Sequence, residues 1–162
     1  WKFETMGIVG SDSDIEIPAT VTEIGQNAFA GNTNLETVEL PYGVESLGHG
    51  AFQNCSVLRD VNIPDSVTYM GCYMFINCKK LLTMYIPDSV ERIGNPQGSV
   101  TPAYTDGMFY GTSYVKIYCG ASSKPTNWFS KWNCYGYNKG CLYNSTYFNT
   151  SREQYDAIKK QF

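Results

Sequence analysis

The chain has 162 residues, of which 43% are hydrophobic and only 17% charged, against an ordinary charged share of about 25%. Twelve Lys and Arg against fifteen Asp and Glu give a net charge of −3, and without a basic cluster that balance argues against nucleic acid and against an electrostatically held membrane protein. One His excludes a His-rich metal site and argues against a His-dependent triad, no apolar run approaches the roughly 18 residues of a membrane span, and 13 Tyr, 8 Phe and 3 Trp point to an aromatic, weakly charged surface suited to recognition.

In chain order, residues 1–14 read as an N-terminal cap: a strand and turn in which Trp1 and Phe3 serve as cap core. The chain opens without an initiator Met or a signal-like stretch, as a mature form or a fragment would. From residue 15 a period takes over. An apolar residue followed by Pro recurs as Ile17-Pro18, Leu40-Pro41, Ile63-Pro64 and Ile86-Pro87, each 23 residues after the last. Val21, Val44, Val67 and Val90 keep step, as do Ile24, Leu47, Met70 and Ile93. Gly25, Gly48, Gly71 and Gly94 form a third column, and Phe29, Phe52 and Phe75 a fourth. Leu35, Leu58 and Leu81 open segments of the type L-x-x-V-x-I.

These columns have a physical reading. Apolar and polar residues alternate toward the end of each Leu-led segment, as in a half-buried strand, and Pro stops the strand because it has no N–H to donate. Residues 44–47 form a second short strand, the Gly supplies a turn with free φ, and Ala-Phe makes a tight helix-like turn against the core. One repeat cannot bury its own apolar face, so rungs must stack, with strands about 4.8 Å apart. Four to five rungs make a solenoid on the order of 20–25 Å long, mostly β with short helical turns.

The pattern Ile63-Pro-Asp-Ser-Val67, Gly71, Phe75, Cys78, Leu81 resembles the BspA-like leucine-rich repeat of bacterial and protozoan surface proteins. The resemblance covers about residues 8–133, including 117–128, which is similar to the stretch that closes such arrays. It implies a leucine-rich repeat solenoid outside the cell or on its surface that engages host or neighbouring proteins, and it implies no catalytic residues. The expected organisation is a cap at 1–14, the repeat array at 15–119, and a C-terminal cap with a short helix at 120–162.

The breaks in the pattern come next. After Gly94, eleven extra residues precede Met108-Phe109, and the insertion at 95–106, with two Pro and one Gly, is a projecting loop. The last rung, Tyr114-Val115-Lys116-Ile117-Tyr118-Cys119, is one residue short. Residues 120–150 are rich in Gly, Asn and aromatics, including Trp128, Trp132, Tyr135, Tyr143 and Tyr147, some of which must seal the final rung. Residues 151–162 read as a helix with Ser151 as N-cap and Gln154 completing a capping box, its stripe of Tyr155, Ile158 and Phe162 docking on the cap.

Of six cysteines, Cys55 and Cys78 share a column with Asn32 and Thr112 that faces inward at a bend and reads as buried thiols. Cys119 takes the column of Leu40 as a small hydrophobe. Cys134 and Cys141 flank a turn-rich loop and are the candidate disulfide in an oxidising exterior, two free thiols being the alternative. Spacings for zinc are absent, and no metal or cofactor is expected. His49 and Cys72 share a column read as a solvent-facing turn without a pocket, and paired carboxylates such as Glu36 and Glu39 lie on an open sheet. No catalytic residue is predicted.

What remains is the outward sheet face. Its candidate ligand-binding residues are Glu36, Glu39, Arg59, Asp60, Asn62, Leu82, Tyr85, Lys116 and Tyr118. The outward positions run from Asp14, Glu16, Glu36 and Glu39 at an acidic end to Leu82, Tyr85, Val115 and Tyr118 at an aromatic one. An exposed aromatic patch of that kind calls for a partner; the alternative is that the C-terminal segment folds over it. Three functions are open: a protein-binding, adhesin-like surface module for a host or bacterial protein; a glycan-binding module using the Trp- and Tyr-rich cap; and a spacer. Neither nucleic acid nor membrane insertion is expected.

Overall fold

The computed structural model describes residues 2–3, 15–94, 107–112, 114–128 and 145–161, the first two as backbone only. Each repeat contributes two short parallel strands to opposite sides of a solenoid. One side is a continuous sheet of β1 (Lys2–Phe3), β2 (Glu23–Ile24), β4 (Ser46–Leu47), β6 (Tyr69–Met70) and β8 (Arg92–Ile93) in that spatial order. Its register advances by one repeat per strand, Glu23 against Ser46 and Ser46 against Tyr69. The predicted capping strand is therefore present, with Lys2 opposite Glu23.

The other side, which carries the Leu-led segments, is divided. β3 (Thr37–Glu39) pairs with β5 (Asp60–Asn62), while β7 (Thr83–Ile86) pairs with β9 (Lys116–Cys119) and β9 with β10 (Thr146–Tyr147). β5 and β7 lie side by side, yet no ladder joins them. A seam thus crosses this face between the Leu58 and Leu81 rungs, opposite an unbroken sheet.

Between the two sides the apolar columns meet. Leu35, Leu58, Leu81, Val44, Val67, Leu47 and Met70 are fully or almost fully buried. Phe29, Phe52, Phe75 and Phe109 stack from rung to rung with centroids 5.3, 5.6 and 5.6 Å apart. After each strand the Pro carbonyl accepts from the Val three residues on, at 3.0–3.2 Å, so the residue that ends the strand also begins the turn. The Phe turns are chains of three-residue hydrogen bonds, such as Ala30 N to Asn27 O and Asn32 N to Phe29 O, and none continues into a helix.

Several expectations are corrected. Gly48 and Gly71 are not required for free φ. A Cβ on Gly48 would stand 2.6 Å from the Gln26 N, and one on Gly71 the same distance from the His49 N, so this column is glycine because successive rungs touch backbone to backbone there. In the same column Gly94 does adopt the positive φ expected, at 112°, and two further columns are left-handed: Asn27, Gly50 and Tyr73, and Gly31, Asn54, Asn77 and Gly111, with φ between 58° and 77°. In the last rung Val115 is buried and Tyr114 exposed, the reverse of the expected arrangement. The missing residue falls after Val115, which takes the place of Leu81, while Thr83 faces Lys116 in the ladder.

The inward column behaves as expected. The Cys55 and Cys78 thiols donate to the carbonyls of Phe29 and Phe52, each at 3.1 Å, and Thr112 donates to Phe75. Burial pushes the Cys55 thiol up to about 11 and Cys119 to about 12, so both stay protonated and inert at neutral pH. Trp128 closes the array: it bridges Ile93, and its indole N–H donates to the Val90 carbonyl at 3.0 Å.

Candidate functional site

The two halves of the divided face differ in what covers them. Along β3 the expected alternation holds, with Glu36, Thr37 and Glu39 exposed and Val38 buried. Arg59 pairs with Glu36 at 3.5 Å, both side chains more than half exposed, and Asn62 donates to the Glu39 carboxylate at 2.9 Å. Along β7, by contrast, all four residues are buried.

The cover over β7 is α1 (Arg152–Lys159). Ser151 caps it: its hydroxyl accepts from Gln154 N at 3.2 Å and Gln154 returns a bond to Ser151 N at 2.8 Å, the predicted capping box. Asn149 and Thr150 donate to the Ala121 and Cys119 carbonyls, which fixes the helix start against the last rung. Tyr155 then drops onto the sheet. Its ring lies 5.5 Å from Tyr85 and 5.6 Å from Tyr118, its hydroxyl 3.2 Å from Thr83 Oγ1, and Tyr147 stacks on Tyr118 from the far side at 4.9 Å.

Cations at both ends of α1 reach across the seam. The Arg152 guanidinium sits 4.1 Å above the Tyr85 ring, donates to Asn62 Oδ1 at 3.2 Å and to the Ile63 carbonyl, and lies 3.6 Å from Asp65. Lys159 pairs with Asp60. The helix therefore runs alongside β5 in the opposite sense, with its aromatic residue on the β7–β9 half. Burial raises the Tyr155 hydroxyl to about 12 and also raises Tyr85 and Tyr118, with the Arg152 charge opposing the rise at Tyr85.

This placement corrects the aromatic end of the predicted face. Tyr85 and Tyr118 are only 5% and 7% exposed, because Tyr155 shields both. Val115 points into the core. Asp60 and Asn62 are engaged by α1, Lys116 is half-buried, and Leu82, 48% exposed, stands clear beside the Glu36 and Arg59 column. Of the candidates, Glu36, Glu39, Arg59 and Leu82 are open. Sequence reasoning missed Arg152, whose role depends on where the helix lands. It also missed Tyr42, 79% exposed, whose signal was an aromatic residue in the turn position held elsewhere by Ala19, Asp65 and Asp88.

Two open troughs flank β3 and meet at Glu39 and Leu40. One, about 520 Å³, lies between the outer flank of α1 and Tyr42, over Val61 and Asn62, with Asp156 and Asp65 on its walls. The other, about 540 Å³, continues over Ile15, Glu16, Ile17, Thr37 and Pro41.

The chemistry of the remaining candidates is quiet. Cys72, expected in an exposed column, is buried, and His49 is half-buried. His49 Nδ1 accepts from the Cys72 N at 2.9 Å, and its Nε2 lies 3.4 Å from the Tyr69 hydroxyl, which donates to the Gly94 carbonyl. With both ring nitrogens engaged, the histidine braces two rungs. Among the described residues, no three His, Cys, Asp or Glu side chains gather as metal ligands, and no helix is long and apolar enough to cross a membrane. The insertion at 95–106, Trp1, Trp132, Tyr135, Tyr143 and the Cys134–Cys141 pair lie outside the described residues.

A family model described as the BspA type leucine rich repeat region (6 copies) matches residues 11–97, over half of the chain. The chain belongs to the BspA-type leucine-rich repeat family. Among solved structures, this repeat chain is similar to a leucine rich cell surface protein from Faecalibacterium prausnitzii, at 27% identity and a TM-score of 0.61, over 91% of this chain and 35% of that one. It also shares its fold with the pneumococcal vaccine antigen PcpA, at 19% identity and a TM-score of 0.61, over 92% of this chain and 39% of that one. The BspA-type chain thus spans little more than a third of either protein. No curated protein matches its sequence.

Proposed function

We propose that this BspA-type domain is a non-catalytic recognition module of a bacterial cell-surface protein, docking a host or bacterial protein on the uncovered half of its sheet face. The observation that supports this is the contrast along the face. The C-terminal rungs are sealed by the chain's own helix, while Glu36, Thr37, Glu39 and the exposed Tyr42 stay open around two troughs. A solenoid presents such outward residues as one continuous surface. The F. prausnitzii relative is a cell surface protein, which supports the same setting here. The glycan alternative rests on the Trp- and Tyr-rich cap, of whose described aromatics Trp128 is buried in the array closure and Tyr147 is exposed.

The test is saturable binding of the purified chain to an immobilised panel of extracellular-matrix and plasma proteins, with a glycan array alongside. The reading expects a protein hit that Glu39→Arg weakens at least tenfold while Tyr85→Phe, beneath the helix, leaves it unchanged. A protein hit insensitive to Glu39→Arg, or signal on glycans alone, would overturn it.

A further inference from the structure

The helix α1 is an occupant of the sheet face, and its contacts show what the face accepts. Its aromatic residue meets tyrosines, but its two cationic side chains meet oxygen: Lys159 on Asp60, and Arg152 on Asn62 Oδ1, the Ile63 carbonyl and Asp65. One rung toward the N-terminus, among the described residues, nothing covers the face and no cation pairs with its remaining carboxylates. Glu36 is paired with Arg59, and Asp60 and Asp65 with α1. Glu16, Glu39 and Asp156 line the two troughs and belong to no ion pair among the described residues. The floor is apolar, from Ile15, Ile17, Leu40 and Val61, and the exposed Tyr42 ring stands on the wall.

We infer that the two adjoining troughs along β3, from Glu16 past Glu39 to the outer flank of α1, bind a lysine- or arginine-bearing segment of the partner protein. This rests on the reading of the face as a recognition surface and names its partner's chemistry. The basic side chains sit on Glu16, Glu39 and Asp156 as Lys159 sits on Asp60, their aliphatic stems lie on Leu40 and Ile17, and Tyr42 offers its ring face to a cation. Charge complementarity fixes the sign: an acidic segment would meet three carboxylates and only cations that are already paired.

The experiment is fluorescence anisotropy of the full chain with a labelled ten-residue peptide alternating lysine and alanine, against its glutamate–alanine counterpart. Saturable binding of the lysine peptide alone is expected. Glu16→Gln with Glu39→Gln should weaken it at least tenfold, whereas Glu45→Gln with Glu91→Gln, an equal charge change beside the strands of the opposite sheet, should change it less than twofold. Both pairs are exposed, so folding is not at stake. Absence of saturable binding, or equal weakening by the two double variants, would overturn the inference. If the peptide fails while a panel protein still binds and is lost on Glu39→Arg, the recognition surface stands and the basic partner does not. Loss of both sinks the two together.

Discussion

The β3–β5 half of the divided face and the β7–β9 half are built from the same repeat, yet one is solvent-facing and the other buried. In the first, Glu36, Thr37 and Glu39 face solvent while α1 engages Asp60 and Asn62 at the seam; in the second, Leu82 stays exposed but Thr83 is buried and Tyr85 and Tyr118 form a small aromatic core with Tyr155 and Ile158. Outward position in a repeat is therefore a statement about the rung alone. What lies over the rung decides whether that position is surface. Here the chain after the array supplies the cover, and the cover reaches across the seam to hold β5 through Arg152 and Lys159.

This contrast can be broken or sharpened by substitution. Gly71→Ala should be the most damaging, because its Cβ would strike the His49 backbone in the sheet that both halves share. The expected cost is about 3 kcal/mol, read by denaturant unfolding, with both halves affected. Tyr155→Ala should act on the covered half only, costing about 2 kcal/mol, below the usual 3–5 for a fully enclosed aromatic because the site lies at the edge of the fold. Hydrogen exchange should then rise in α1 and β7 and stay unchanged in β3.

The covered half should also be the alkali-sensitive one. Tyr155 titrates at about 12 when folded against an ordinary 10, so the unfolded chain gives up its proton first, and the stabilisation from the neutral phenol is full below pH 10 and lost as pH rises toward 12. Melting temperature should fall less steeply over that window in Tyr155→Phe than in the wild type. A parallel slope in the two proteins would assign the loss to the other buried phenols and thiols, among them Tyr69 and Cys119, each raised to about 12.

Smaller effects complete the series. Ser151→Ala removes one side of the capping box and should cost about 1 kcal/mol, seen as fraying of α1 by circular dichroism. Arg59→Ala, on the open half, breaks an exposed pair and should change stability by less than about 0.5 kcal/mol, less still at high salt.

Much of this fold was legible because rung stacking repeats one set of demands. The columns headed by Val21, Ile24, Phe29 and Leu35 predicted the core, and Ser151 with Gln154 predicted the helix start. The Asn and Gly alternation at Asn27, Gly50 and at Gly31, Asn54 is also a readable turn signal, whereas Gly48 and Gly71 are glycine for close backbone approach, which no single repeat displays. The site was less legible. Exposure of Tyr85 depends on a helix some seventy residues away in sequence, and periodicity says nothing about where a stripe of Tyr155 and Ile158 will land. Likewise, the one-residue deletion in the last rung was visible, but its placement after Val115 depends on which residue packs beneath Leu81.

The central claim, that α1 covers the aromatic half and leaves β3 of the acidic half open, is tested most directly by tyrosine nitration of the native chain, mapped by mass spectrometry. The account predicts fast modification of Tyr42 and protection of Tyr85, Tyr118 and Tyr155, with protection of the first two lost in Tyr155→Ala. Modification of Tyr85 and Tyr118 at the rate of Tyr42 in the wild type would contradict it.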